Sequence, residues 1–219
     1  PLAPSLEFEL AKARITARYE HNAKDNVINF QQTLDKQRYA VKAAAQYGLA
    51  LSHYENKDYQ TAVSQLEALF SADKKNLFYV DALTDAYIAV KAHDKAINML
   101  AELNLLMPNN QVVTLNYANV LSEAKQYSKA EMLLQDFLVV SPKHFIANDL
   151  LTEIYRKQDK MALMHATKAE VYALLGAYPK AVDELQTGYN FVEDNPLLKK
   201  RMKGRILQLQ EQQEKLKRL

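Results

Sequence analysis

The 219 residues carry 28 Lys and Arg against 26 Asp and Glu, a net charge of +2, and are 48% hydrophobic with only 4 Gly, 6 Pro and no Cys. So even a balance excludes a molecule-wide nucleic-acid or membrane surface, and the lack of cysteine excludes disulfides and thiolate chemistry. Long stretches free of Gly and Pro point to an all-helical chain, and no apolar run approaches the roughly 18 residues of a membrane-spanning helix.

The chain opens Pro1-Leu2-Ala3-Pro4 without an initiating Met, which reads as a cut within a longer protein. Helices are expected near Glu7 to Tyr19 and Asp25 to Asp35. Stepping back from the elements that follow puts Ile15, Thr16 and Tyr19 in a first-helix core triplet. The same step sets Ile28 and Gln32 where later copies carry Ala and Leu. The bulkier Ile28 marks a degenerate pair that caps a stack.

Ala62, Ala96 and Ala130 then stand 34 residues apart, each followed four places on by Leu66, Leu100 and Leu134. Pro108 and Pro142 keep the interval, with Lys74 in the equivalent earlier place. That is the period of the tetratricopeptide repeat, one antiparallel helix pair per copy. First helices carry Leu49-Ala50 with His53, Leu83-Thr84 with Tyr87, and Tyr117-Ala118 with Leu121, the small residue admitting the paired helix. Second helices are expected to start near Tyr59, His93 and Tyr127 after short polar turns, with Leu69, Leu103 and Phe137 as core positions near their ends.

After Pro142 the next clean alanine, Ala181, lies 51 residues beyond Ala130, which is one and a half repeats. Leu150, Leu151, Ile154 and Tyr155 make one first helix, while Lys168-Ala169 and Tyr172 already begin another. An odd helix therefore interrupts the stack. The segment Leu197 to Leu219 reads as one long capping helix with Leu198, Met202, Ile206, Leu209 and Leu216 on its apolar side.

The expected architecture is all-α: a tetratricopeptide-repeat (TPR) solenoid of antiparallel helix pairs, interrupted by an odd helix and capped by a C-terminal helix. Residues 1–219 form a single TPR domain, a fragment of a larger protein. Its subdomains fall at about 1–142 (degenerate pair plus three repeats) and 143–219 (odd helix, one repeat, capping helix). From Pro196 onward eight Lys and Arg face two acids, leaving +6 there and −4 elsewhere. Such a segment is either a solvated face or a contact for phosphate, an acidic partner or anionic lipid.

Catalytic chemistry finds no carrier. The histidines His21, His53, His93, His144 and His165 are scattered singly, without metal-ligand spacing. Gly48, Gly176, Gly188 and Gly204 are isolated, so no phosphate-cradling loop exists, and no Ser sits in a glycine-flanked elbow. The fragment reads as non-catalytic, with no catalytic, cofactor-binding or metal residue. What remains is a partner-binding groove lined by first helices: Tyr47, Leu51 and Tyr54; Phe78, Asp81, Asp85 and Ile88; Leu115 and Asn119. Asp81 and Asp85 would repel a terminal carboxylate, whereas the aromatics suit an extended or partly unfolded chain. The same aromatics serve equally well as packing between helices.

Certain residues go further than the repeat. Pro4-Ser5-Leu6-Glu7-Phe8-Glu9-Leu10 with Arg14, Ala44-Ala45-Gln46-Tyr47-Gly48 with Ala50-Leu51, Ala169-Glu170 with Tyr172-Ala173, and the Leu- and Gln-rich Arg201 to Lys217 stand out. Together they resemble the C-terminal repeat domain of the β-barrel assembly-enhancing proteases, bacterial periplasmic zinc metallopeptidases. The resemblance implies a periplasmic location and zinc in the parent protease, held by an N-terminal His-Glu-x-x-His domain that this chain does not contain. It implies as partners the parent's own protease domain, the outer-membrane β-barrel assembly machinery, and unfolded or stalled barrel proteins. Nucleic acid and a membrane span are not expected. The residues by themselves leave a second class open, a generic TPR scaffold or adaptor mediating oligomerisation or a cytosolic complex.

Overall fold

The computed structural model describes residues 5–217. Pro1 to Pro4, Arg218 and Leu219, and with them the proposed cut and the end of the basic segment, lie outside the described residues. Twelve helices and no strand are found among the described residues. They are α1 (Leu6–Ile15), α2 (Ala23–Asp35), α3 (Lys42–Glu55), α4 (Tyr59–Ala72), α5 (Leu77–Ala89) and α6 (His93–Leu106). After these come α7 (Gln111–Glu123), α8 (Tyr127–Val140), α9 (Phe145–Lys157), α10 (Met161–Leu174), α11 (Tyr178–Tyr189) and α12 (Pro196–Lys217). Backbone contacts divide them into two compact units meeting in sequence between Asn116 and Tyr117.

In the first unit the expected second helices begin at Tyr59 and His93, and in the second unit at Tyr127. Ala62, Ala96 and Ala130 are fully buried, as are Leu66, Leu100 and Leu134. An alanine at the crossing lets two helix backbones approach, and the leucine one turn on fills the space beside them. The starts of α5, α7 and α9 are fixed by side chains taking up free N–H groups: Asn76 accepts from Phe78 N, Asn110 from Val112 N, and His144 Nδ1 from Ala147 N. These three caps also stand 34 apart.

The turn inside each pair is the same device repeated. Lys57, Lys91, Lys125 and Asp159 have φ of 65°, 59°, 59° and 58°, again at the 34-residue interval. The following amide closes on the carbonyl five residues earlier, Asp58 N on His53 O at 2.9 Å and Ala92 N on Tyr87 O at 2.8 Å in unit one. Unit two repeats it with Gln126 N on Leu121 O at 2.8 Å and Lys160 N on Tyr155 O at 2.9 Å. This is the Schellman ending, which satisfies carbonyls that the helix leaves open.

Two expectations are corrected here. The 34-residue interval runs one pair beyond Pro142, through the His144 cap and the Asp159 turn, with Met164 buried where earlier copies carry alanine. The half-repeat step enters after Asp159: the next left-handed turn, Gly176 at φ 72°, follows 17 residues later. Helix α10 packs against α9 on one side and α11 on the other, and the half-repeat step falls between them. Small residues permit it: Ala169 and Ala181 are fully buried, and a Cβ on Gly188 would come within 2.8 Å of His165 Cβ.

The first pair also differs. Ile15 is 53% and Tyr19 78% exposed, and the buried residues of this segment are Leu10, Ala13 and Ala17. The helix continues past Ile15 as a π-helical turn, Thr16–Glu20, whose wider ring rotates the following side chains off the extrapolated face. Buried Asn26 secures that turn, its amide donating to Thr16 O at 3.1 Å and Ala17 O at 3.3 Å. Ile28 is exposed, so a polar residue two places earlier takes the role of the missing alanine. At the other end α12 buries Met202 and Leu209, while Leu216 is exposed and does not belong to the apolar side.

Candidate interaction groove

In unit one the first helices α1, α3, α5 and the start of α7 present a continuous row of polar side chains. Arg14 of α1 reaches over α3 and α5: its Nε donates to Tyr47 Oη at 2.9 Å and its Nη2 to Asp81 Oδ2 at 2.9 Å. From the opposite side Asn116 of α7 donates to Asp81 Oδ1 at 3.0 Å. One turn further on, in the π-helical turn that follows α1, Arg18 sits between two acids, Asp85 at 3.3 Å and Glu55 at 3.4 Å. Arg14 and Arg18 are four apart, as are Asp81 and Asp85, so both ion pairs repeat one helical turn on.

This geometry relocates several of the expected groove residues. Tyr47 is 0% and Leu51 1% exposed, so both belong to the core and offer no open surface. Burial, offset in part by Arg14, pushes the Tyr47 phenol up to about 12, and its ring meets Phe78 edge-on at 6.1 Å. Tyr54, Phe78, Asp81, Asp85 and Ile88 are half-buried and remain on the accessible side of unit one. Leu115 and Asn119 are half-buried on α7. The guanidinium of Arg14 covers the Phe78 ring at 5.0 Å, a cation–π contact that fixes both.

A cavity of about 340 Å³ opens beside this row, lined by Arg14, Leu77, Phe78, Asp81 and Val112. Its lining combines apolar Leu77, Phe78 and Val112 with charged Arg14 and Asp81. A larger cavity of about 510 Å³, lined among others by Leu34, Leu49, Leu69 and Tyr79, lies away from the ion pairs. The groove acids are not equivalent: burial and the neighbouring Asp81 push Asp85 up to about 6 despite Arg18. Tyr54 is raised as well, by burial first and by the charge of Asp85 second.

Arg14, Arg18 and Asn116 are the groove residues that periodicity alone misses. The signal was present as spacing: 14, 47, 81 and 116 advance by one repeat within a residue, and both Arg–Asp pairs are separated by 67. Among the described residues no three His, Cys, Asp or Glu side chains converge as metal ligands would, and no helix is long and apolar enough to cross a membrane.

Comparison with known proteins places this geometry in context. No protein-family model matches. The β-barrel assembly-enhancing protease of Escherichia coli is 30% identical over 213 residues, 97% of this chain and 44% of that protein. A Vibrio cholerae relative bearing the same name is 33% identical over 215 residues, and the Yersinia pestis protein 27% over 218. The chain thus spans less than half the length of the curated relatives it matches, aligning with their C-terminal part.

Among solved structures, a tetratricopeptide repeat protein from Parabacteroides merdae superposes with a TM-score of 0.57 at 11% identity, over 90% of this chain and 82% of that one. YrrB, described as a TPR protein with an unusual peptide-binding site, gives 0.54 at 13% identity, over 82% of this chain and 91% of its own. At such identities they establish the fold: tetratricopeptide repeats.

Proposed function

We propose that this chain, which aligns over nearly its whole length with the C-terminal part of the β-barrel assembly-enhancing proteases, is the recognition part of such an enzyme. It is a non-catalytic, TPR-based interaction domain, and the zinc-dependent cutting belongs to a part of the parent protein outside these residues. In the periplasm it docks the protease onto the outer-membrane β-barrel assembly machinery and onto unfolded or stalled barrel proteins, contributing to their assembly and quality control. The observation that carries this reading is the alignment over 97% of the chain at 30% identity. The half-open row of Tyr54, Phe78, Asp81, Asp85 and Ile88 supports it, since half-buried aromatics beside fixed charges give contact area at low entropic cost.

Site-specific photocrosslinking in cells tests the reading. Crosslinkers at Tyr54, Phe78 and Asp85 are expected to capture envelope proteins, with barrel proteins or assembly-machinery components among them. Exposed positions on second helices, Ser64 and Asn98, are expected to stay silent. Capture at Ser64 and Asn98 with silence at the groove would overturn it.

A further inference from the structure

The groove in unit one has one positive charge too few. Three carboxylates, Glu55, Asp81 and Asp85, face two guanidinium groups, Arg14 and Arg18. Asp81 is fully answered, by Arg14 on one oxygen and Asn116 on the other. Arg18 by contrast is divided between Glu55 and Asp85 at 3.4 and 3.3 Å, neither at the short distance of the Arg14 pair. The surplus negative charge therefore sits at the Glu55–Asp85 end, on carboxylates that are only half-buried and open to a ligand.

The cavity lies at the other end of the same row. Leu77, Phe78 and Val112 form an apolar seat of about 340 Å³ next to Asp81, and Asp85 follows one turn on along α5. From Leu77 to Asp85 is eight residues of helix, an advance of about 12 Å. Four residues of extended peptide advance about 13 Å and return the side chain to the same face. A strand-like segment laid along α5 thus presents side chains four apart to the apolar seat and to Asp85 in register. Ile88, half-buried on the same helix, offers apolar surface to the stem of a long cationic side chain.

We propose that this groove binds an extended peptide segment that seats an apolar side chain against Leu77, Phe78 and Val112 and, four residues away, places a lysine or arginine between Glu55 and Asp85. This rests on the groove being the interaction surface and adds the chemistry of what it selects. A cation there relieves the charge excess, while an acidic residue adds a fourth carboxylate and is rejected.

The test uses the whole chain and fluorescein-labelled peptides of serine, threonine and glycine carrying Leu-Thr-Ser-Thr-Lys, Lys-Thr-Ser-Thr-Leu, Leu-Thr-Ser-Thr-Ser or Leu-Thr-Ser-Thr-Glu at their centre. Binding is followed by anisotropy near pH 7.5 at low salt. One of the two lysine peptides is expected to bind at least tenfold tighter than the glutamate peptide. Asp85→Asn and Glu55→Gln, separately and together, are expected to shrink the preference for lysine over serine to within twofold while leaving the dependence on leucine intact. Phe78→Ala is expected to weaken every peptide. Equal or tighter binding of the glutamate peptide overturns the proposal, as does a lysine preference that survives the double variant or one that Glu153→Gln abolishes.

Failure of this inference and failure of the groove reading are separable. Leucine-dependent binding without charge preference removes the inference and leaves the groove. Absence of all peptide binding removes the inference, and silence of the groove crosslinkers removes the groove itself.

Discussion

Helix α5 in unit one and helix α9 in unit two carry the same chemistry at the same stations of the repeat: Phe78, Asp81 and Asp85 in one, Ile146, Asp149 and Glu153 in the other, 68 residues apart. Their surroundings differ. On α5 the two acids are met by Arg14 and Arg18 from another helix and are half-buried. On α9 Ile146 is 50% exposed, Asp149 is exposed, and Glu153 bonds only along its own helix, to Arg156 Nε at 3.0 Å. The two acids shift in opposite directions as a result: burial raises Asp85 to about 6, while the hydrogen bond from Arg156 lowers Glu153. Repetition of sequence fixes where a side chain stands, and what packs over it decides whether it is a groove or a solvated face.

The sharpest way to break this contrast is to remove the arginine that creates it. Arg14→Ala strips the partners of Tyr47 Oη and of one Asp81 oxygen, both groups less than a third exposed. A loss of about 2 kcal/mol in denaturant unfolding is expected, far more than from an exposed arginine. A loss below about 0.5 kcal/mol would mean that water replaces Arg14 freely and that the two regions are alike.

Asp85 and Glu153 offer a second comparison, this time through pH. Because folding raises the affinity of Asp85 for a proton, the native state binds more protons than the unfolded chain between about pH 4 and 6. Its contribution to stability therefore falls as pH rises through that window. Glu153 is the reverse, its contribution present above its unfolded value and lost as pH falls through the lowered one. Carboxyl-carbon NMR should show Asp85 titrating near 6 and Glu153 below the usual glutamate range. Asp85→Asn should stabilise at neutral pH by under about 1 kcal/mol, since its side chain is 36% exposed and screened by solvent. Titration of both groups at ordinary values would erase the distinction. The smallest effect belongs to Arg156→Ala, an exposed i,i+3 partner whose removal should leave the denaturant midpoint unchanged within the precision of the measurement.

Much of the fold was legible because its steric needs recur. A small residue at Ala62, Ala96 and Ala130 and a leucine one turn later are demanded wherever two helices cross closely, so spacing alone located the pairs and the starts of α4, α6 and α8. The first pair resisted the same logic. One π-helical turn rotates everything after Ile15, and the job of the missing alanine passes to Asn26, whose value lies in hydrogen bonds rather than size. Gly48, unremarkable as a letter, is required because a Cβ there would meet the Phe30 ring at 2.3 Å.

The groove was half legible. Phase put Tyr54, Phe78, Asp81 and Asp85 on the face proposed as the groove, where they are half-buried, but Tyr47 and Leu51 occupy equivalent phases and are buried, because α1 packs over α3 and closes that stretch. Arg14 and Arg18 were invisible to an apolar period. Their partners lie 67 residues away, and only matching one i,i+4 charge pair to another would have joined them.

The left-handed turns at Lys57, Lys91, Lys125 and Asp159 have a use beyond this protein's own biology. None is glycine, so each hairpin bends on a residue that tolerates the conformation at some cost in backbone energy. These identical joints, spaced one module apart, mark natural splice points for a modular engineer. A pair could be added or deleted between two of them with the crossing alanines kept in phase, and glycine at the joint would harden the assembly without altering any face it presents.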